Sequence, residues 1–600
     1  MRMVFLIAIY FAFPAAGLLR SEVTEQEVSD TLVRQMVGFV DVIIEESDPV
    51  NPGIVYAKAP DDHNQNPCYP LAWLYKTKHP LNPYFGNTDL RDRALAICDR
   101  IVKIKSRLEW PCYVLCQIYE MLGDEISPLR KEQWKEYVQY YVEFRGQRPF
   151  GYTSPNHEAW NALAVLRAGQ VFDQPSWQAL GRRAMNQLVK LQNTLGYFDE
   201  GSHHGPSTKY NQLQLAAMLL FADYAQDKPV EAAAKKLSDF MLRYSFPDGW
   251  TSGALDGRQN GYVGYFGTLC YGWDRWPEHK TLTRRIFETR SRLGMLSPES
   301  EFFNLSDWYS YFGSWFVVDE YLAQQPDAPS APLPQDSNGY LVTDSGPTFE
   351  GGAARNHDWM VIVSAINSHV PLIGQSLYRL DRQSRLDIWH QDVGLVVGGG
   401  HNLRGNEVAL ANAIVLTDWH DVSCEYGFFG ETENYYDRLT TYVPRALKAD
   451  ITLERQRLIE SFGQGDVAFE VQPLGNGRLN VAYEYDLANT EKLIVQLPLV
   501  VYHDTRVLVD GELFGGQEAM SVSDEVTLYS PSSGTTVKVT PPAGCSAKIR
   551  PPVHPIRWYK DDNVSNRYRP YYGINLLSVQ IDNPSGRNGG RFKLEINGNQ

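Results

Sequence analysis

The sequence predicts two unlike halves: an N-terminal half of helical hairpins curving into an (α/α) toroid, then a C-terminal antiparallel β-sandwich. Three observations predict it. Apolar residues recur at three-to-four spacing from about residue 25 to 325. Short β-branched runs bounded by Gly, Asn, Asp and Pro take over after about 340. Between them lies AQQPDAPSAPLPQDSNG, whose composition reads as an interdomain linker over 326–339. At 600 residues the chain also exceeds one ordinary core, so two or three domains are expected.

The first element is a leader over residues 1–20. Arg2 precedes an apolar run from Val4 to Phe13, and the small residues Ala15, Ala16 and Gly17 follow. A membrane anchor is the competing reading, but the run is shorter than the roughly 20 residues that span a bilayer. The mature protein is therefore expected to be secreted or periplasmic, with no membrane span.

Residues 21–325 form the helical half. RDRALAICDRIVKIK, RLEWPCYVLCQIYEMLG, KEQWKEYVQYYVEFR, HEAWNALAVLRAGQVF, SWQALGRRAMNQLVKLQ, KYNQLQLAAMLLFADYA and VEAAAKKLSDFMLRYSF each carry the helical period. Short connections make consecutive helices pack as antiparallel hairpins. Ten to twelve helices suffice for a toroid, although a bundle or solenoid would read similarly. Residues 340–600 form the β half, from WMVIVSAIN, VGLVVGGG and VALANAIVLTD to KLIVQLPLVVYHD, GTTVKVTP and RFKLEING. Many strands with almost no helical period imply antiparallel sheets.

Composition narrows the function classes. Net charge is −15 with no Lys/Arg-rich run, the opposite of what a phosphate-tracking surface needs, so nucleic acid is excluded. An acidic glycan stays open, since a local basic pocket can sit in an acidic protein. Aromatics are 12% of the chain; most fill core, yet Tyr and Trp also offer flat faces to sugar rings. Seven Cys at irregular spacing read as buried free thiols with at most an undetected disulfide.

Three helical-half segments carry polar residues that packing does not ask for. In Ser154-Pro155-Asn156-His157-Glu158-Ala159-Trp160, Ser154 suits an N-cap and Pro155 the first helical position. Asn156 and His157 then fall in the opening turn, where free N–H groups and the helix dipole favour an anion. Trp160 adds an aromatic face to the candidate substrate-binding set. The alternative is a His that only caps or packs.

The second segment, Tyr197 to Tyr210, contains Glu200-Gly201-Ser202-His203-His204-Gly205-Pro206. Loops set on rigid helices are where catalytic groups concentrate. Two adjacent imidazoles point apart, so joint metal ligation is disfavoured. The third segment, Asp248 to Tyr265, offers Arg258 as a carboxylate clamp and Tyr262 and Tyr265 for stacking or proton transfer, though a structural turn explains it equally well. The β half contributes Arg355-Asn356-His357-Asp358, His390 and His401-Asn402. These groups could complete an interdomain cleft, or His357, Asp358, His390 and His401 could hold a structural metal.

At these segments the chain resembles the polysaccharide lyases built as an (α/α) toroid plus antiparallel β-sheet domain, the alginate lyase and heparinase II/III-like superfamily. The resemblance rests on Asn156-His157 opening a helix, on Glu200 to Pro206 with Tyr210 after it, and on PLAWLYKTKHPLNPYFGN (70–87) as an entrance segment. It implies that Asn156 and His157 neutralise a uronate carboxylate, that Tyr210 gives or takes the proton, and that Arg355 and His357 line the cleft. Asn211 and Gln212, directly after Tyr210, depart from the usual alternation and put the helix register in question.

The implied chemistry is β-elimination. The C5 proton beside a carboxylate is weakly acidic, so fixed donors must stabilise the enolate-like charge, each worth about 3–4 kcal/mol. A tyrosine of ordinary pKa ~10 is a poor base until positive groups such as His157, His203 or His204 assist it. No cofactor is required. The expected partner is an acidic polysaccharide such as alginate, glucuronan, ulvan or a glycosaminoglycan. The rivals are a glycoside hydrolase on the same toroid, using two of Asp199, Glu200, Asp248 and Asp256, and a non-catalytic glycan-binding protein.

Overall fold

The computed structural model describes residues 24–46, 68–148, 150–151, 154–199, 205–250, 252–255, 272–292, 329–367, 382–398, 414–416, 446–462, 465–487, 493–502, 505–516, 518–531, 533–549, 575–583 and 588–597. Among them are ten α-helices: α1 (Glu25–Glu46), α2 (Cys68–Lys76), α3 (Thr88–Ile104), α4 (Glu109–Met121), α5 (Pro128–Gly146), α6 (Pro155–Val171), α7 (Pro175–Val189), α8 (Thr208–Ala225), α9 (Lys228–Arg243) and α10 (Pro277–Arg292).

Local chemistry sets their ends. Asn87 and Asp227 accept backbone N–H groups at the starts of α3 and α9, as Ser127 does ahead of Pro128 in α5. Lys105 and Gln226 stop α3 and α8 in the left-handed conformation, freeing the chain to turn.

Hairpins α2/α3, α6/α7 and α8/α9 pack side by side, and α2, α4, α6 and α8 touch in succession as an inner ring. Inner helices are enclosed on nearly every side. In α6 every residue from Asn156 to Gly169 is buried except His157. The outer α3, α5, α7 and α9 keep one polar face. This two-layered ring is the toroid the helix count predicted.

Beyond Gly339 the chain forms antiparallel sheets. The first runs β1 (Leu341–Ser345), β2 (Phe349–Asn356), β3 (Trp359–Asn367), β4 (Arg382–His390) and β5 (Gly394–Val397), then continues through Leu493–Val501 and Asn575–Asn583. The second sheet of nine strands is centred on Gly465–Gly475, Arg478–Leu487 and Gly589–Asn597.

Strand β3 shows why WMVIVSAI reads as an unbroken apolar run. Met360, Ile362 and Ile366 enter the helical core, whereas Val361, Val363 and Ala365 enter a second core shared with Val467, Phe469 and Val481 of the other sheet. Strand β3 is thus buried on both faces, an arrangement more common in parallel sheets.

The stretch read as a linker is fastened to the toroid. Gln335 donates to the carbonyls of Leu242 and Ser245 at 3.2 and 3.0 Å, and Arg285 grips Asp336 bidentately at 2.5 and 2.8 Å. Cys68, Cys98, Cys112 and Cys116 are buried free thiols; Cys270 and Cys424 lie outside the described residues, as does the leader.

Candidate active site

Three inner helices bring their first turns level. Trp160 Nε1 donates to Leu213 O at 3.1 Å and Gln170 Nε2 to Tyr224 O at 2.9 Å, so α6 and α8 run parallel in fixed register. Tyr113 packs edge-on against Trp160, and farther along Arg167 pairs with Glu120, so α4 runs parallel to both. Asn156 lies one turn before Trp160 and Tyr210 one turn before Leu213. At 1.5 Å rise per residue both stand about 4.5–6 Å beyond the Trp160–Leu213 contact, on neighbouring helices whose axes lie about 8–10 Å apart.

At this level the polar groups are held from behind. His157 Nδ1 meets the Glu109 carboxylate in a short hydrogen bond, and the imidazole leans on Trp110 with ring centroids 5.2 Å apart. The Glu109 side chain is 4% exposed and that of His157 is 33% exposed, so the acid anchors a ring whose other edge reaches solvent. The next residue, Glu158, pairs with Arg145 at 3.3 Å.

Ser154 does not cap α6 with its side chain, as the sequence suggested. Its hydroxyl donates to Asn156 Oδ1 at 2.6 Å. That bond leaves Asn156 Nδ2 buried with no acceptor among the described residues. Tyr210, in the first turn of α8, is 8% exposed.

The segment carrying His203 and His204 lies outside the described residues, but both of its ends are pinned. Asn211 accepts from Phe198 N and donates to Phe198 O and Ser207 O, tying the incoming chain to the start of α8. Thr348, at the edge of β2, donates to Asp199 at 2.7 Å and is itself hydrogen-bonded by the Tyr197 hydroxyl at 2.9 Å. Burial pushes the Tyr197 pKa upward, which keeps that hydroxyl a donor. Gly205 has φ +78°, and a Cβ there would come within 2.7 Å of Ile366 Cγ2, so only glycine fits where the chain returns beneath β3.

Arg258, Tyr262 and Tyr265 also lie outside the described residues. The chain leading to them is anchored across the domains. Ser252 Oγ and Ala254 N both donate to Asp387 Oδ2 of β4 at 2.7 and 3.0 Å, and Ser364 of β3 donates to Ala254 O.

Three expected substrate contacts are placed elsewhere. Trp160 is fully buried with its N–H committed to Leu213, so it is a core residue with no face for a sugar. Arg355 sits at the far end of β2, seven residues or about 23 Å along the strand from Thr348. There it donates to Gln335 O at 2.8 Å and lies over Trp389. His357 occupies the β2–β3 turn with φ 56°, its N–H donated to Asn338 and its ring over Gly475. The pattern Arg-Asn-His marks the end of a strand and its turn.

Of the four residues of the metal alternative, His357, Asp358 and His390 are described. His390 is packed against Trp359, its pKa lowered by burial, and among the described residues no three His, Cys, Asp or Glu side chains could hold an ion. His401 lies outside them. Glu109 escaped the sequence reading, although an acid opening an apolar helix in RLEWPC was a usable signal.

No family model matches the sequence, and no curated protein matches it. Solved structures do. Heparinase III aligns with a TM-score of 0.52 at 10% identity, covering 98% of this chain and 87% of that one. Chondroitin AC lyase from Streptomyces coelicolor A3 aligns with a TM-score of 0.49 at 12% identity over 97% of this chain and 81% of its own. Heparan sulfate lyase from Pedobacter heparinus gives 0.44 at 11% identity over 97% and 85%. The chain shares its fold, a helical toroid plus antiparallel β domain, with heparinase III, and the likeness spans both halves.

Proposed function

We propose that this protein is a polysaccharide lyase that cleaves a uronic-acid-containing polysaccharide by β-elimination. The observation that carries the reading is Asn156 Nδ2. A buried amide donor without an acceptor costs about 1–3 kcal/mol, and a carboxylate lodged at the start of α6 would supply the acceptor. The fold shared with heparinase III supports the same class.

In this reading the uronate carboxylate accepts from Asn156 and rests against the positive end of α6, which makes C5–H more acidic. In this reading His157, held through Nδ1 by Glu109, offers Nε2 as the base, and Tyr210 lies in the first turn of the neighbouring α8. The base that takes the C5 proton is set by the ring face carrying it. The released electron pair forms the C4=C5 bond, the C4–O4 bond breaks, and O4 leaves with a proton, from the Tyr210 hydroxyl when His157 is the base. No water enters, unlike in a hydrolase. The carboxylates a hydrolase would need are committed elsewhere where described: Asp199 to Thr348 and Asp248 to the Trp250 N–H.

Export is part of the proposal and rests on residues 1–20; N-terminal sequencing of the exported protein should begin near residue 21. The enzymatic test is ultraviolet absorbance of the unsaturated uronide during incubation with alginate, glucuronan, ulvan and glycosaminoglycans. Absorbance should rise with at least one polymer, and Asn156→Ala should slow the rise by about 10²–10³-fold. New reducing ends without unsaturated product would replace the lyase by a hydrolase.

A further inference from the structure

We propose that Lys105, Arg107 and Arg148, gathered around Tyr140 and Phe144 at the mouth of this site, hold a carboxylate or sulfate of a sugar unit beyond the one being cleaved. The inference rests on the lyase reading and adds that the substrate is acidic at more than one unit.

The patch reverses the character of a chain whose net charge is −15. Arg107 donates from Nε to the Tyr140 hydroxyl at 2.7 Å and lies over Phe144, 4.8 Å from the ring centre. Arg148 lies over the same ring at 4.1 Å, and Lys105 Nζ stands 5.4 Å from the centre of Tyr140. Both rings are partly buried in α5, so they fix the cations in place.

Lys105 and Arg107 form no ion pair among the described residues. The acids on the adjoining turns are occupied: Glu109 with His157, Glu158 with Arg145, and Glu143 with the Gln139 amide at 2.8 Å. The Lys105 ammonium and the Arg107 guanidinium both lie over the Tyr140 ring, 5.4 and 6.0 Å from its centre, and repel one another; a bound anion would relieve that. The planar forks suit a carboxylate or sulfate bidentately.

Two further facts support the proposal. Arg107 lies two residues before Glu109, so the patch adjoins the turn that holds His157. Lys105 takes φ 49° at a helix end where Gly or Asn is conformationally easier, so the position carries a lysine in spite of the backbone.

The test measures retention of the full-length protein on immobilised heparan sulfate, chondroitin sulfate and alginate across a salt gradient. Wild type, Lys105→Gln/Arg107→Gln and Asn156→Ala are compared, with melting temperature and unsaturated product recorded for each. Wild type should bind at least one polymer. The double variant should bind it about tenfold or more weakly with a flatter salt dependence and an unchanged melting temperature. Asn156→Ala should lose product and keep binding. A double variant that binds as wild type does overturns the patch, and if Asn156→Ala has still lost turnover the lyase reading stands. Wild type that binds none of the three overturns the patch, and the lyase reading falls with it if glucuronan and ulvan are not cleaved either. Retention on anionic phospholipid vesicles, lost in the double variant, with no glycan binding, assigns the patch to a membrane surface instead.

Discussion

Glu109 illustrates how a single buried acid can govern a site it does not enter. Its carboxylate is shut from solvent and turned toward His157 Nδ1, so it fixes both the tilt of the imidazole and the nitrogen that faces the cleft. In the proposed mechanism such a group positions the base. Glu109→Gln is therefore expected to lower kcat about 10²-fold with KM nearly unchanged, because the amide can hold the ring equally well in the wrong tautomer. Steady-state kinetics on whichever polymer is cleaved checks this, with the melting temperature as control. An equal rise in KM would instead place Glu109 in substrate binding. Asn156 was legible from its place after Ser-Pro, since first-turn position is a local property. Glu109 was not, because its meaning depends on a partner 48 residues away.

Among the elements, α10 carries a liability that titrates. His279 is fully buried between Trp273 and Trp276, and burial lowers its pKa to about 4, with Lys235 adding to the effect and Asp239 opposing it. The folded chain holds this ring neutral, whereas the unfolded chain protonates it near pH 6.5. Its stabilising contribution is complete above that pH and drains away as pH falls toward 4, by about 3 kcal/mol in all. Melting temperature should thus fall between pH 6.5 and 4, and the fall should be shallower in His279→Leu. Equal slopes would show that the acid-side loss lies elsewhere. Helices as such were readable from their period. Which of their faces met the cleft was not, because α6 is enclosed on almost every side and its apolar pattern has no polar stripe to orient it. Strand β3 hid its role in the same way, being apolar on both faces for two different cores.

At the scale of the whole molecule, the two halves are joined by clasps that no local pattern announces. Arg243 and Tyr244 at the end of α9 both donate to Asp344 of β1, at 3.0 and 3.1 Å, and Tyr340 returns a bond to Arg243 O at 2.9 Å. Phe246 stacks on Trp389. Asp387 is the most enclosed of these links, fully buried on β4 and bonded to Ser252 and Ala254. Its partners lie 135 and 133 residues away, which is why the sequence showed only a loop rich in Gly and Ser beside an unremarkable acid. Asp387→Ala would leave the Ser252 hydroxyl buried without its acceptor and the Ala254 N–H with the Ser252 oxygen alone, at 3.1 Å, at a cost of about 1–3 kcal/mol. The lost energy sits at the contact between the halves, so the expected result is loss of cooperativity. Scanning calorimetry should show one transition for the wild type and two for the variant, the toroid and the sheets melting separately. Activity should fall as well, since the same acid anchors the chain that leads to Arg258. A single transition with only a small shift would mean that the Asp344 cluster and the Phe246–Trp389 stack suffice to couple the halves.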